Sequence, residues 1–392
     1  MKPSISVSLS NNFCPILKRW SGSEPITPDS YHHLRLFLTP GITSFGASVR
    51  NITQLSLLPM LALKCTGLTH LSIGHGAANL PDLAAKSVMS KFVCELHRLE
   101  WLVAGDLDQA AFSHLARLPR LRHLWLMSFG RLAPPMAFQS LAGSRPFPAL
   151  KSLLIETIEY APAFFQFLSK CSLEKFTILL RGYSVPYTNE TAKNCWSTLA
   201  THCSHASLQK IIFQWSSILE LPTVNVDTYS IKGDILRPLF PFRSLVKLDL
   251  EHSVGFDLDD AAVLDMARAW PCVQLLSLSS HSRHIQPRVT LVGISGIAQH
   301  CPRLQRFGIT FDATVIPELK PEVPSHTALY ELDVAYSPIG DPFEVANYLG
   351  VIFPGLGSIR TLYVGLRDPE NMADVQVVTQ HNVWKKFQWV LT

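Results

Sequence analysis

No run of about 18 apolar residues occurs anywhere in the 392-residue chain, which excludes a membrane-spanning helix on length. The opening residues, MKPSISVSLSNNFCPILKRW, lack the uninterrupted apolar stretch of a secretory leader. Charge is scarce. Asp, Glu, Lys and Arg together make up 16% of the residues, 34 basic against 30 acidic, for a net +4 without any Lys/Arg-rich block. Nucleic-acid binding needs concentrated positive charge, so the composition gives it no footprint. No two of the eight cysteines are closer than positions 195 and 203, so there is no C-x-x-C redox or zinc pair.

Signatures of catalysis are missing too. There is no G-x-S-x-G elbow, no H-E-x-x-H and no phosphate-binding loop. The glycine-rich run Gly74-His75-Gly76 has Asn79 where a dinucleotide fingerprint needs its third glycine, and reads as a tight turn leaving a strand. His281 and His284, like His32 and His33, have no carboxylate or thiolate close in sequence and read as loop residues rather than metal ligands. Asp257, Asp259 and Asp260 lack the spacing and central glycine of a calcium loop. The expectation is a protein without catalysis, metal or cofactor. Two glycosylation-type sequons, at Asn51 and Asn189, count for little without a leader. The expected location is the cytoplasm or nucleus, with reduced thiols.

What the sequence does have is apolar residues, at 47%, arranged in one recurring pattern of apolar-x-x-apolar-x-apolar. It reads LTHLSI from Leu68, LEWLVA from Leu99, LRHLWL from Leu121, LKSLLI from Leu150, LEKFTI from Leu173 and LQKIIF from Leu208. It continues as LVKLDL from Leu245, VQLLSL from Val273, LQRFGI from Leu304, LYELDV from Leu329 and IRTLYV from Ile359, with a weaker ITSFGA at Ile42. The mean spacing is about 29 residues, near the top of the leucine-rich range. Within each copy the alternation predicts a half-buried strand whose fourth and sixth residues face inward.

Helical spacing fills the intervals, as in DLAAKSVMSKFVCELHRL, LDQAAFSHLARL, APAFFQFLSKC, TAKNCWSTLATHC and DDAAVLDMARAW. Asp82, Asp106 and Asp259 stand where helix starts want a cap. Cys65, Cys171, Cys272 and Cys301 precede strand motifs by one to three residues, where a repeat buries small side chains. The predicted fold is therefore α/β, a curved, irregular leucine-rich-repeat solenoid of about twelve strand-helix units with parallel strands on the concave face. The predicted organisation is a flexible tail over 1–30, the solenoid over 31–373 and a capping helix over 374–392. That helix would carry Val378, Trp384, Phe387 and Leu391 on one face. RGYSVPYTNE, LPTVNVDTYSIKG, RHIQPR and TVIPELKPEVPSH read as projecting loops.

HHLRLFLTPGITSF, ALKCTGLTHLSI, LPRLRHLWL and the closing NVWKKFQWVL together resemble the F-box-type leucine-rich-repeat proteins expanded in mushroom-forming fungi. The resemblance covers about residues 31–392, and its motifs are repeat motifs. It implies a substrate receptor, in which an F-box docks on the adaptor of a cullin-type ubiquitin ligase while the repeats hold the target. No F-box pattern precedes the first repeat, Cys14 and Trp20 being the sole candidates for its closing Cys…Trp. None of the units has the family's Asn two residues past the strand motif. Target binding is what the resemblance still implies, and a chain truncated from a longer protein is a further expectation.

Third and fifth motif residues should point to the concave surface. Those positions give an aromatic zone of Trp101, His123 and Trp125 and a line of Lys175, Lys210 and Lys247, followed by mixed charge. The functional reading is a protein partner docked on the aromatic zone, its acidic groups facing the lysines. In the competing reading, other parts of the chain cover the tryptophans, or a one-residue slip turns both rings inward. For the lysines the competitor is a solvated face. Substrate receptor of a ligase, and stand-alone scaffold or inhibitor, both remain open.

Overall fold

Each motif copy from Leu68 to Leu329 becomes a strand that begins at its third residue. A computed structural model describes residues 19–21, 38–49, 55, 57–75, 82–105, 107–127, 146–156, 158, 161–165, 168, 171–180, 187–215, 225–280, 285–318, 325–361, 379–380 and 382–386. The protein is α/β, with its long strands all parallel, and it folds as two compact units, Met1–Leu173 and Glu174–Thr392.

The first unit carries β1 (Arg19–Ser21), β2 (Ser44–Val49), β3 (His70–His75), β4 (Trp101–Ala104), β5 (His123–Leu126) and β6 (Ser152–Ile155). They lie side by side in chain order, each parallel to the next. Parallel neighbours require a crossover, and among the described residues helices lie in the three from β2 to β5, with a further one after β6. These are α1 (Leu57–Lys64), α2 (Asp82–Cys94), α3 (Gln109–Arg117) and α4 (Ala161–Phe165).

The second unit repeats the scheme with β7 (Lys175–Leu180), β8 (Lys210–Trp215), β10 (Lys247–His252), β12 (Leu275–Ser280), β13 (Arg306–Gly308), β14 (Glu331–Ala335) and β15 (Ser358–Thr361). All are parallel, again in chain order. Its longer helices are α5 (Asn189–His202), α8 (Asp260–Ala269), α9 (Leu291–His300) and α10 (Pro342–Ile352). Between them lie two single turns, α6 (Val226–Tyr229) and α7 (Gly233–Leu236).

The motif's spacing sets the core. From Leu68 to Leu329 its first, fourth and sixth residues are all buried, Leu126 excepted. Each buried Leu, Ile or Phe contributes about 1.5–3 kcal/mol, so ten copies of a three-residue signature supply a large share of the apolar drive. A backbone device then holds the copies in step. One carbonyl accepts two successive N–H groups of the next strand, as Glu174 O does from Gln209 and Lys210 at 2.9 and 3.0 Å. Gln209, Val246, Gln274, Gln305 and Tyr330 do the same, as do Thr69 and Glu100 in the first unit. Third-position side chains therefore line up across neighbouring strands.

This ladder corrects the last repeat. Tyr330 O receives Gly357 N and Ser358 N, and Ile359 pairs with Leu332, a fourth-position residue. The last motif is thus LGSIRT from Leu356, three residues earlier than the apolar pattern IRTLYV suggests. Ser358 and Arg360 hold its outward positions, in place of Thr361; Tyr363 lies outside the described residues. Glycine and serine at the second and third positions hid the register from a hydrophobicity count.

Three residues before the motif lies a second buried slot, filled by Cys65, Phe147, Phe242, Trp270, Cys301, His326 and Phe353. Its backbone carbonyl typically accepts the N–H of the first motif residue, as Cys301 does from Leu304 at 3.0 Å. His326 uses its ring instead, with Nδ1 accepting from Leu329 N at 3.3 Å and Nε2 lying 2.7 Å from Cys301 O. The seven described cysteines are all free thiols. Burial pushes the Cys301 thiol up to about 12, so it stays protonated.

Several expectations need adjustment. Arg19–Ser21, inside the segment read as a tail, forms a strand beside β2. The rest of that segment lies outside the described residues. Helix α3 is capped by Asp108, whose carboxylate accepts from Ala111 N, while Asp106 lies outside the described residues; Asp259 caps α8 as its spacing predicts. Gly74 lies within β3 rather than in the turn after it. LPTVNVDTYSIKG is structured at its end: β9 (Ile231–Lys232) pairs with β11 (Phe256–Asp257) as a separate two-stranded sheet. In the 374–392 segment, residues 382–386 are helical and Trp384 is fully buried, whereas Val378, Phe387 and Leu391 lie outside the described residues.

Candidate functional site

Strand alternation and the carbonyl ladder together make rows of side chains on the sheet face opposite the core. In the first unit one row runs His70, Trp101, His123, Ser152 across β3 to β6. The next runs Ser72, Val103, Trp125, Leu154. Both tryptophans are thus on the outward face, without a register slip. Trp101 is 40% exposed, and its ring lies 4.7 Å from that of His123 at an interplanar angle of 35°. Trp125 is half-buried and donates its indole N–H to Glu156 Oε1 at 3.3 Å. Val103, in register with Trp125, is itself buried, so the fifth-position row is closed at that point.

The arrangement gives a shelf of two indoles and an imidazole on adjacent strands. Its rings are oriented by their neighbours before any partner arrives. Pre-positioned Trp surface of this kind suits a protein partner, because little rotamer freedom is lost on contact. Glu156 was not legible as part of the site. It follows the last residue of its motif, and only the register across β5 and β6 brings it to Trp125.

In the second unit the third-position row runs Lys175, Lys210, Lys247, Leu275, Arg306, Glu331, Ser358, and the fifth runs Thr177, Ile212, Asp249, Ser277, Gly308, Asp333, Arg360. The lysines expected from the sequence therefore stand side by side on β7, β8 and β10. Lys247 Nζ is paired with Asp249 Oδ2 at 3.0 Å. Among the described residues neither Lys175 nor Lys210 has an acidic partner within ion-pair distance. Partial burial, and then the Lys210 and Lys247 charges, hold the Lys175 ammonium below its usual range. Thr177 is buried on the lysine face, and its hydroxyl has no hydrogen-bond partner.

Further along, the charges are matched. Arg306 reaches Glu331 Oε1 through Nε and Nη2 at 3.0 and 2.9 Å, and Arg360 Nη1 lies 3.4 Å from the same oxygen. Burial pushes the Asp333 carboxyl up, and its Oδ1 accepts from Ala335 N at 3.0 Å. Ala335 takes φ +48°, a left-handed conformation at the bulge where β14 loses step with β15.

On the helical side, an open depression of about 400 Å³ is lined by Arg237, Phe240, Arg243, Asp265, Arg268 and Ala269. Among the described residues no three His, Cys, Asp or Glu side chains are grouped to hold a metal ion, and no helix is long and apolar enough to cross a membrane. No family model matches the sequence. None of the curated proteins matches it either.

Proposed function

We propose that the chain is an irregular leucine-rich-repeat solenoid, not an enzyme, that holds a protein partner on the outward face of its strands. The observation carrying this reading is the exposed, pre-stacked Trp101–His123 pair beside Trp125. Large aromatic rings are seldom left in water on a folded surface, and they dominate the energetics of protein interfaces. By its resemblance to F-box-type repeat proteins, the partner is a target for ubiquitination, and the chain is the substrate-binding part of a ligase receptor. A stand-alone scaffold or inhibitor uses the same face without a ligase.

Affinity purification of the tagged chain from its native cells, with partners identified by mass spectrometry, tests both points. A partner held on the aromatic shelf is lost with Trp101→Ala or Trp125→Ala, each weakening retention at least tenfold, a loss of about 2 kcal/mol as expected of a hot spot. Val292→Ala, on the exposed side of α9, leaves retention unchanged. Co-purification of adaptor and cullin subunits supports the ligase receptor. A Trp-dependent partner recovered without them supports the scaffold. Retention indifferent to both tryptophans rules out the shelf as the docking surface.

A further inference from the structure

Like charges placed directly opposite on neighbouring strands repel, and folded sheets usually avoid them or neutralise them. The second unit breaks that rule at one place alone among its described strand rows. Lys175, Lys210 and Lys247 share a register on β7, β8 and β10, while Arg306 of the same row and Arg360 of the next are both matched by Glu331. Beside Lys175, on the same face of β7, the buried Thr177 hydroxyl has no partner. A buried hydroxyl without a hydrogen bond is a rare and unfavourable feature. The two unpaired ammoniums of Lys175 and Lys210, on the same patch, lack an anionic partner.

We propose that Lys175, Lys210 and Lys247 bind an acidic peptide segment whose Asp or Glu side chains lie across the three strands. The inference rests on the reading of this face as a protein-binding surface and adds the chemistry of what it takes. Strands stand about 4.8 Å apart, so the row spans about 10 Å between its outer backbones. An extended peptide places same-side carboxylates about 6.8 Å apart, so two or three fall over the row, and the long lysine stems take up the mismatch.

The same geometry assigns a role to Asp249. It lies two residues along β10 from Lys247 and holds that ammonium at 3.0 Å, occupying the place a ligand carboxylate would take. Lys175 and Lys210 are open to the ligand, whereas Lys247 must first give up Asp249. Asp249 therefore sets a threshold: it keeps weakly acidic segments off the row and yields to segments carrying several carboxylates.

The test uses the full chain and a fluorescein-labelled decapeptide of alternating Glu and Ser, followed by fluorescence anisotropy at low and physiological salt. A Gln-Ser decapeptide and a phosphoserine-Ser decapeptide are the comparisons. Wild type binds the Glu-Ser peptide and not the Gln-Ser peptide, with affinity falling as salt screens the contact. Lys210→Gln and Lys175→Gln each weaken binding about tenfold, and the double variant abolishes it. Asp249→Asn tightens binding severalfold by freeing Lys247. Circular dichroism checks folding, and Lys175→Gln melts no lower than wild type because it relieves repulsion. Val292→Ala leaves the decapeptide affinity unchanged, and because the peptide assay needs no cellular partner, failure of the lysine row is told apart from failure of the aromatic shelf. Equal binding to wild type and to Lys175→Gln/Lys210→Gln overturns the proposal, as does no binding at all. Binding of the phosphoserine peptide alone overturns it in favour of a phosphate site.

Discussion

Replacing Trp384 by Ala is expected to lower the stability of the second unit by about 3–5 kcal/mol, the range for removing a large buried aromatic ring. Trp384 is fully buried, donates its indole N–H to Ser337 O at 2.8 Å, and meets the edge of Phe311 with ring centroids 6.1 Å apart. Nearby, Gln380 Oε1 accepts from Ile339 N at 3.1 Å, so two side chains of the C-terminal segment satisfy the backbone that follows β14. Truncation to Ala leaves a cavity and an unpaired Ser337 carbonyl together. Trp384→Phe keeps most of the ring but leaves the carbonyl unpaired, and should cost about 1–3 kcal/mol. Urea unfolding followed by circular dichroism measures both. An unchanged midpoint for Trp384→Ala would show that this segment contributes nothing to the unit's stability.

The strand positions were legible because the motif places its buried residues at the first, fourth and sixth positions and repeats, ending in an alternation that helical spacing does not give. The pattern was strong enough to place Trp101, Trp125 and the three lysines on the outward face by alternation alone. It failed where apolar content and register part company. At Leu356-Gly-Ser-Ile359 the two residues between the buried pair are uninformative, and the more apolar run at Ile359 drew the reading three residues late. Helix α9, which ends at the CPRLQRF strand entry, holds two glycines in LVGISGIAQH and has little local helix preference. Its stability comes from packing on α8 and from Asp260, whose carboxylate accepts from Thr290 N and Gly293 N at 2.7 and 3.1 Å. Gly293 is required there, since an added Cβ would run into Asp260 Oδ1. Such tertiary debts leave no mark on local spacing. For the same reason Glu156 beside Trp125 and the unpartnered Thr177 hydroxyl could not be found before the strands were paired.

Acid should unfold the second unit earlier than its carboxylates alone predict, and His252 is the cause. His252 sits two residues past the motif from Leu245. Its Nδ1 accepts from Val254 N at 3.3 Å and Gly255 N at 3.1 Å. Gly255, at φ +110°, permits the turn that aims both amides at the ring. Tyr187 and Phe256 pack edge-on against the imidazole at 4.8 and 6.2 Å. Burial pulls the imidazole down to about 3, and a proton on Nδ1 would also face two N–H donors.

The folded state therefore resists a proton that the unfolded chain takes up near its ordinary value of about 6.5. Above that pH both states hold His252 neutral and the contribution is complete. As pH falls from there towards 3 the unfolded chain binds more protons, and stability drops by about 1.4 kcal/mol per unit, or about 3 kcal/mol by pH 4.5. His252→Asn offers an amide oxygen to the same two N–H groups and does not titrate. Its urea midpoint should change less than that of wild type between pH 7 and pH 4.5, by an amount equivalent to those 3 kcal/mol. The difference between the two proteins isolates His252 from the carboxylates, which titrate in both. Identical pH slopes would mean that the ring becomes solvated before the unit unfolds, so that the turn it braces at Gly255 opens first.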